Sequence, residues 1–478
     1  MKTTKQKAPK LDERNWKNKE GKGTDDYAYL NADSFTSTEK VDHKEMLNKI
    51  IEEKGEWFCG QPFVNLYVSN YGVPHPCSNT SLTIRKHVSQ TGLDKIWDEY
   101  EMSELRKEMA DGGKKKSDQI LKTCTRCIEW ENNGHVSTRE QSNKAIKNVP
   151  VDQKEMERLV NHVKQSDDGK YNSVLNRINT IRIKTWGNFC NLKCLMCSPE
   201  DSSGVAQELM DIGEMSEDDI LIRSEARAGV KMPWKPPLIT YKDHYIDEEE
   251  FLRTVEKTSR IQLIGGETWL IKQNVQILEE CIKRGWAKNI TIFCFSNNFG
   301  HPNMQHIWDL LSQFKHVIYK CSMELWGWKN NYVRYPSNWE EVHEHIKLMN
   351  TLPNASLGIN PTMNPINAGY AGDLVRGAMS LNANISFMYL NRPKWFTLKS
   401  LPDDIIDHHL TRLYSEPKII RDQCQKVIDL LEKVDFDELK YHEMIASIKR
   451  RDKHRGDNIL KYFPEWTSHF KGDEYYNV

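Results

Sequence analysis

The sequence predicts an α/β fold. It places a partial barrel of six β/α units between a small α+β domain and a helical C-terminal region. Three observations carry this. From about residue 178, short apolar strands alternate with amphipathic helices. The stretch before it lacks that rhythm and holds four cysteines. The stretch after Leu401 reads as helix alone. A length of 478 residues allows roughly three domains.

The elements follow in chain order. Residues 1–44 are polar and aperiodic, a flexible arm with Trp16 and Tyr27–Tyr29 as aromatic anchors. Residues 45–147 form the first domain. It starts from a helix at His43–Lys54, continues with a strand-like run at Phe63–Ser69, and turns at Asn70–Gly72. A helix across Leu93–Met109 and a solvated loop, DGGKKKSD at 111–118, complete it. Residues 148–178 connect, with a helix over 150–166. The barrel, 179–400, has strands at Thr180–Thr185, Arg260–Ile264, Asn289–Phe295, Val317–Ser322, Ser356–Pro361 and Ile385–Leu390. Helices at Val275–Arg284, Met304–Leu311 and Trp339–Asn350 lie between them. Repeated β/α units imply a parallel sheet with right-handed crossovers. In such folds the chemistry sits on loops at the strand C-termini. The polar crossover 200–255 is long, and its Trp234 between prolines borders either a substrate entrance or a simple insertion. Helices at 401–415, 417–434 and 436–451 fill the tail, 401–478.

Lys and Arg total 67 against 68 Asp and Glu, a net charge of −1. This disfavours a strongly basic nucleic-acid binder, although a local basic groove stays open. No apolar run approaches the roughly 18 residues of a membrane span. The N-terminus shows no apolar signal segment, so the chain is expected in the cytoplasm. Eleven cysteines, an odd number in a reducing compartment, argue against a disulfide framework. Seven fall in two tight groups, which points to soft-metal ligation.

The first group is Cys190, Cys194 and Cys197, a C-x3-C-x2-C run directly after the first barrel strand. Three thiolates wrap one compact centre. A structural zinc site wants four ligands, so that reading needs a borrowed fourth. A 4Fe–4S cluster on three thiolates keeps one iron open to another ligand.

The run resembles the signature of the radical S-adenosylmethionine (radical SAM) superfamily. The resemblance implies that Cys190, Cys194 and Cys197 hold a 4Fe–4S cluster whose open iron chelates SAM. Reductive cleavage of SAM would then give a 5′-deoxyadenosyl radical that takes a substrate hydrogen. Gly265-Gly266-Glu267 after the second strand matches the family's GGE motif, with Glu267 toward the SAM ammonium. The two glycines would let the backbone approach the ligand closely. Ser296 and Asn297 after the third strand resemble residues contacting SAM's ribose or methionyl part. Ser322 and, in Tyr332-Val333-Arg334, Arg334 would bind its carboxylate. Glu324 stands where the family more often has Asp. Strand-end capping or ion pairing is the plain alternative for Asn297, Ser322 and Arg334.

The second group is Cys59, Cys77, Cys124 and Cys127. Cys59, twelve residues, Gly72 and then four residues to Cys77 resemble the opening of SPASM and twitch auxiliary-cluster modules. Four thiolates complete a second 4Fe–4S cluster; a four-cysteine zinc knuckle fits the same count. The module precedes the barrel, as in a phage-associated group of twitch-domain radical SAM proteins, which implies a phage-encoded chain acting in the host cytoplasm. Cys281, Cys294, Cys321 and Cys424 are read as packing residues, with a hydrogen-donor role open for Cys321. His343-Glu344-His345 and His408-His409 are read as exposed helix faces.

Together these imply a radical SAM enzyme with one auxiliary cluster and a peptide or protein substrate. An electron donor such as flavodoxin or ferredoxin would serve it. Action on RNA or a nucleoside, and a non-enzymatic zinc-stabilised binding protein, are the alternatives.

Overall fold

A computed structural model describes residues 42–69, 72, 74–77, 79–80, 93–132, 136–147, 150–170, 178–184, 187–228, 235–238, 248–390 and 392–470. The N-terminal arm, with Trp16 and Tyr27–Tyr29, and Trp234 of the crossover lie outside them. The chain divides into two compact units. The first holds residues up to Gly187 with 221–234 and 240–264; the second holds 188–220, 235–239 and 265–478.

In the first unit, helix α1 (His43–Lys54) has the predicted bounds. Asp42 caps it through bonds from the Lys44 and Glu45 amides, and Gly55 ends it at φ +82°. The run from Phe63 starts as the last turns of a short helix, Gln61–Val64, before strand β1 (Asn65–Val68). Pro62 at the start of that turn favours helix there. Gly72, at φ +67°, takes the left-handed conformation that returns the chain into β2 (Pro74–His75). β1 and β2 pair antiparallel, Tyr67 opposite His75.

The expected helix across Leu93–Met109 is two, α2 (Leu93–Ile96) and α3 (Tyr100–Ala110). The fully buried Arg106 accounts for the break. Its guanidinium takes the Trp97 carbonyl, which a continuous helix would have used internally. Helices α4 (Asp118–Thr123), α5 (Thr125–Asn132), α6 (Thr138–Lys147) and α7 (Pro150–Gln165) follow. Next come β3 (Ile178–Ile183) and, after the crossover, β4 (Thr258–Leu263). The unit's strand order is β2-β1-β3-β4. β1 runs parallel to β3 with Asn65 opposite Thr180, so the N-terminal hairpin extends the strands of the β/α segment. Sequence periodicity carries no signal for that pairing.

The crossover contains α8 (Ser203–Asp211), α9 (Glu217–Ala228) and α10 (Glu248–Glu256). The second unit alternates α11 (Lys272–Lys283), β5 (Thr291–Ser296), α12 (Met304–Leu311), β6 (His316–Cys321), α13 (Trp339–Asn350) and β7 (Ala355–Ile359). β5, β6 and β7 pair in parallel in that order. The last predicted strand is broken. After β8 (Thr362–Met363) and α14 (Ala371–Ser380), β9 (Asn384–Ile385) joins β7, while β10 (Met388–Tyr389) pairs with β8. Pro361 lies between β7 and β8, and its missing N–H interrupts the ladder there. The tail folds as α15 (Asp403–Tyr414), α16 (Lys418–Leu431) and α17 (Glu438–Arg455).

Cys281, Cys294, Cys321 and Cys424 are all 0% exposed, as packing residues should be. None of the eleven cysteines forms a disulfide. The expectation of exposed histidines needs correction. His409 shares the 405/409/413 spacing of α15's buried stripe, is 0% exposed and bonds the Pro365 carbonyl at 2.9 Å. His345 is half-buried and bonds the Asn298 carbonyl at 2.8 Å. Among the described residues no helix is long and apolar enough to cross a membrane.

Candidate metal and cofactor sites

The second unit carries the three-cysteine loop, and neighbouring backbone fixes its path. The Cys190 amide donates to Ser203 Oγ at 3.2 Å, and Ser202 Oγ donates to the Leu192 carbonyl at 2.9 Å. Both serines begin α8, so the loop is laid over that helix's N-terminus. On the other side, the Lys193 and Leu195 amides donate to the carbonyls of Tyr335 and Val333 at 2.6 and 3.0 Å. Cys194 is buried; Cys190 and Cys197 are half-buried. Burial pushes the Cys190 thiol up to about 12, and the neighbouring Cys194 and Glu267 add to the rise. Burial so disfavours the thiolate, and a cation beside it would offset that.

Gly266 explains the position of the GGE motif differently from expectation. A Cβ there would lie 2.2 Å from the Phe189 carbonyl and 2.3 Å from that of Asn188. The close approach is therefore to the chain's own cysteine loop. The Glu267 amide donates to the same Phe189 carbonyl at 2.8 Å. Gly265 is the residue that leads from β4 into this contact.

Glu267 is 2% exposed and gathers the strand ends. It accepts from Ser296 Oγ at 2.9 Å, the Asn297 amide at 2.7 Å and the Trp269 amide at 3.4 Å. Burial still raises its pKa, to about 7, against those donors. A cation beside it would offset that burial. Asn297 turns to the loop, its Nδ2 donating to Asn191 Oδ1 at 2.9 Å. Ser296, Asn297 and Glu267 thus form one network with the loop residue after Cys190. The Ser322 amide joins it by donating to the Ser296 carbonyl at 2.8 Å.

Arg334 sits in a buried ion pair with Glu324 at 2.7 Å, and its Nη1 lies 3.8 Å from Cys194 Sγ. Glu324, where Asp was expected, is the arginine's counter-ion and is 0% exposed.

Sequence reasoning missed Arg455. Its side chain, 1% exposed, pairs with Glu208 of α8 through Nε at 2.7 Å and Nη2 at 2.8 Å. Nη2 also donates to the Lys193 carbonyl at 2.5 Å. The last residue of α17 thereby clamps the peptide unit before Cys194. The signal was the i,i+4 pair Arg451 and Arg455 in an otherwise exposed basic run. Arg455→Met should destabilise the chain by up to about 3–5 kcal/mol, because the buried Glu208 carboxylate would keep only the longer contact to Arg451 at 3.6 Å. The loss should appear as a lower midpoint in thermal or denaturant unfolding.

The first unit assembles the other four cysteines. Burial raises the Cys124 thiol well above its usual range, and Cys127, Cys59 and Cys77 each add to that rise. Cys77, pushed up to about 12 by burial, feels Cys127 as well, with Arg126 and Arg182 opposing. Three separate chain segments therefore converge. The backbone around Cys59 is locked by α6. The Phe58 carbonyl accepts from Arg139 at 2.7 Å and Asn143 at 2.8 Å, and the Gly60 amide donates to Asn143 at 3.0 Å. Arg139 is itself held by Glu131 and stacks on Trp57 at 4.2 Å.

Among the described residues, no three His, Cys, Asp or Glu side chains are disposed to hold a single metal ion. A four-iron cluster is broader, with one thiolate per iron. Buried soft thiols facing arginines suit such an anionic group in both units.

No protein-family model and no curated protein matches the chain. Several solved structures do. Native anSMEcpe with bound AdoMet matches at 14% identity over 54% of this chain, with a TM-score of 0.33. The chain spans 63% of the length of that structure. Streptococcus suis SuiB bound to precursor peptide SuiA matches at 15% identity over 80% of this chain and 72% of its own, with a TM-score of 0.34. TYW1 with a lysine-pyruvate adduct bound matches at 12% identity over 49% and 72%, with a TM-score of 0.26. At these values the sites must be read from the chain's own residues.

If SAM binds beside Glu267, as the GGE resemblance implies, Glu267→Gln would weaken that binding by about 1.5–3 kcal/mol, because it removes a charged acceptor and turns an amide toward the Asn297 N–H. Calorimetric titration with SAM checks this, with iron content unchanged. Equal affinity in wild type and variant would count against the assignment.

Proposed function

We propose that the chain is a radical SAM enzyme with one auxiliary iron–sulfur cluster, acting on a peptide or protein. The carrying observation is the junction of two motifs that lie far apart in sequence: Gly266 and Glu267 press on the backbone that leads into Cys190. Cys190, Cys194 and Cys197 would hold the first 4Fe–4S cluster, which when bound supplies the electron that cleaves SAM. Glu267 would take the SAM ammonium. Ser296 and Asn297 orient Glu267 through the bonds described. Arg334 would place positive charge beside Cys194, with Ser322 at the adjoining strand end open to SAM's carboxylate. Cys59, Cys77, Cys124 and Cys127 would hold the auxiliary cluster, saturated by four thiolates and so closed to SAM. The preference for a peptide or protein substrate follows from the auxiliary module by analogy with its family. Flavodoxin or ferredoxin would be the electron donor.

Metal and sulfide analysis of anaerobically purified protein tests this reading. Iron with acid-labile sulfide is the expected result. Zinc without either would overturn it in favour of a zinc-stabilised binding protein.

A further inference from the structure

Lys320 stands within β6, between β5 and β7. Alternation gives this strand two unlike faces. Val317, Tyr319 and Cys321 are 0% exposed, whereas His316, Ile318 and Lys320 are half-buried. Ser322, two residues further on, falls on the Lys320 side. In register with Lys320 are Phe295 on β5 and Gly358 on β7. A Cβ at Gly358 would fall 2.5 Å from Lys320 Nζ, so the amine lies over bare backbone. Phe293 and Phe295, with ring centroids 5.1 Å apart, share the corresponding face of β5. Neither β5 (TIFCFS) nor β7 (ASLGI) contains an acidic residue. Among the described residues Lys320 makes no hydrogen bond or ion pair, and burial lowers its pKa. A half-buried charge without a partner is costly, and an arriving anion relieves that cost.

We propose that Lys320 recognises a carboxylate of the substrate, which docks on the β6 face about 7 Å along the strand from Ser322. One point charge, with no acid or second cation on the flanking strands, matches a monoanion better than a phosphate. The carboxylate is that of an acidic side chain or of a peptide C-terminus. This inference rests on the reading of the strand ends as the cofactor site.

The test uses the reconstituted full chain with saturating SAM and three short Gly/Ser peptides, N-acetylated. One has a central glutamate and an amidated end, one a free C-terminal carboxylate only, and one neither. Equilibrium dialysis should show one acidic peptide binding at least tenfold tighter than the neutral one. Lys320→Met should abolish that preference and Lys320→Arg should keep it. The glutamate and free-end arms tell which source the site takes. No acid preference in the wild type, or the same preference in Lys320→Met, overturns the proposal. 5′-Deoxyadenosine measured after dithionite is added to the same samples separates the two claims. Its absence counts against the radical SAM reading, whereas its presence without acid preference counts against Lys320 alone.

Discussion

Replacing Cys190, Cys194 and Cys197 together with Ala should lower iron from about eight to about four per chain and abolish SAM cleavage. The physical basis is that the loop's path is set by backbone bonds. Ser202, Ser203, Val333 and Tyr335 hold it without any thiol. The variant should therefore fold, and the iron it keeps should report the other cluster alone. Iron and sulfide assays with circular dichroism check this. Unchanged iron would show that the three-cysteine loop is not a metal site.

Cys124→Ala with Cys127→Ala should remove the complementary half of the iron while leaving uncoupled SAM cleavage in place. Cys124 is the residue between α4 and α5 and Cys127 lies in the first turn of α5, while Cys59 and Cys77 come near them from separate segments. If one cluster spans them, its loss frees those segments from one another, so the unfolding midpoint should also fall. The remaining thiolates cannot saturate a four-iron cluster. Full iron in this variant would remove the auxiliary cluster from the account.

The parts of this architecture that were legible in the sequence are those fixed by local rules. α1 had its cap Asp42 and terminal Gly55, α12 and α13 had clear apolar stripes, and the bounds of all three agree with expectation. The strands of the β/α segment were found within a few residues because short apolar runs between helices leave little choice. What escaped were long-range choices. Nothing in the sequence of β1 says that Asn65 will pair with Thr180. Arg106 breaks a helix by reaching a carbonyl nine residues back, a contact that no helical periodicity announces.

The cysteine groups were legible because thiol spacing is itself chemical information. The supports were not. Gly266 was read as letting the backbone approach a ligand, and its missing Cβ also admits the Asn188–Phe189 backbone, which the motif alone does not reveal. Arg455 lies 247 residues from Glu208, a separation that no local pattern spans. Arg334, expected to face a carboxylate of the cofactor, sits against Glu324 and Cys194, partners that no local pattern named.

The loop at Cys190–Cys197 is proposed to support reductive cleavage of SAM. The most direct measurement is anaerobic reconstitution with iron and sulfide, followed by incubation with SAM and dithionite and quantitation of 5′-deoxyadenosine and methionine. Both products are expected from the wild type, none from the Cys190, Cys194 and Cys197 variant, and both again from the Cys124 and Cys127 variant. A fully iron-loaded wild type that forms neither product would contradict it.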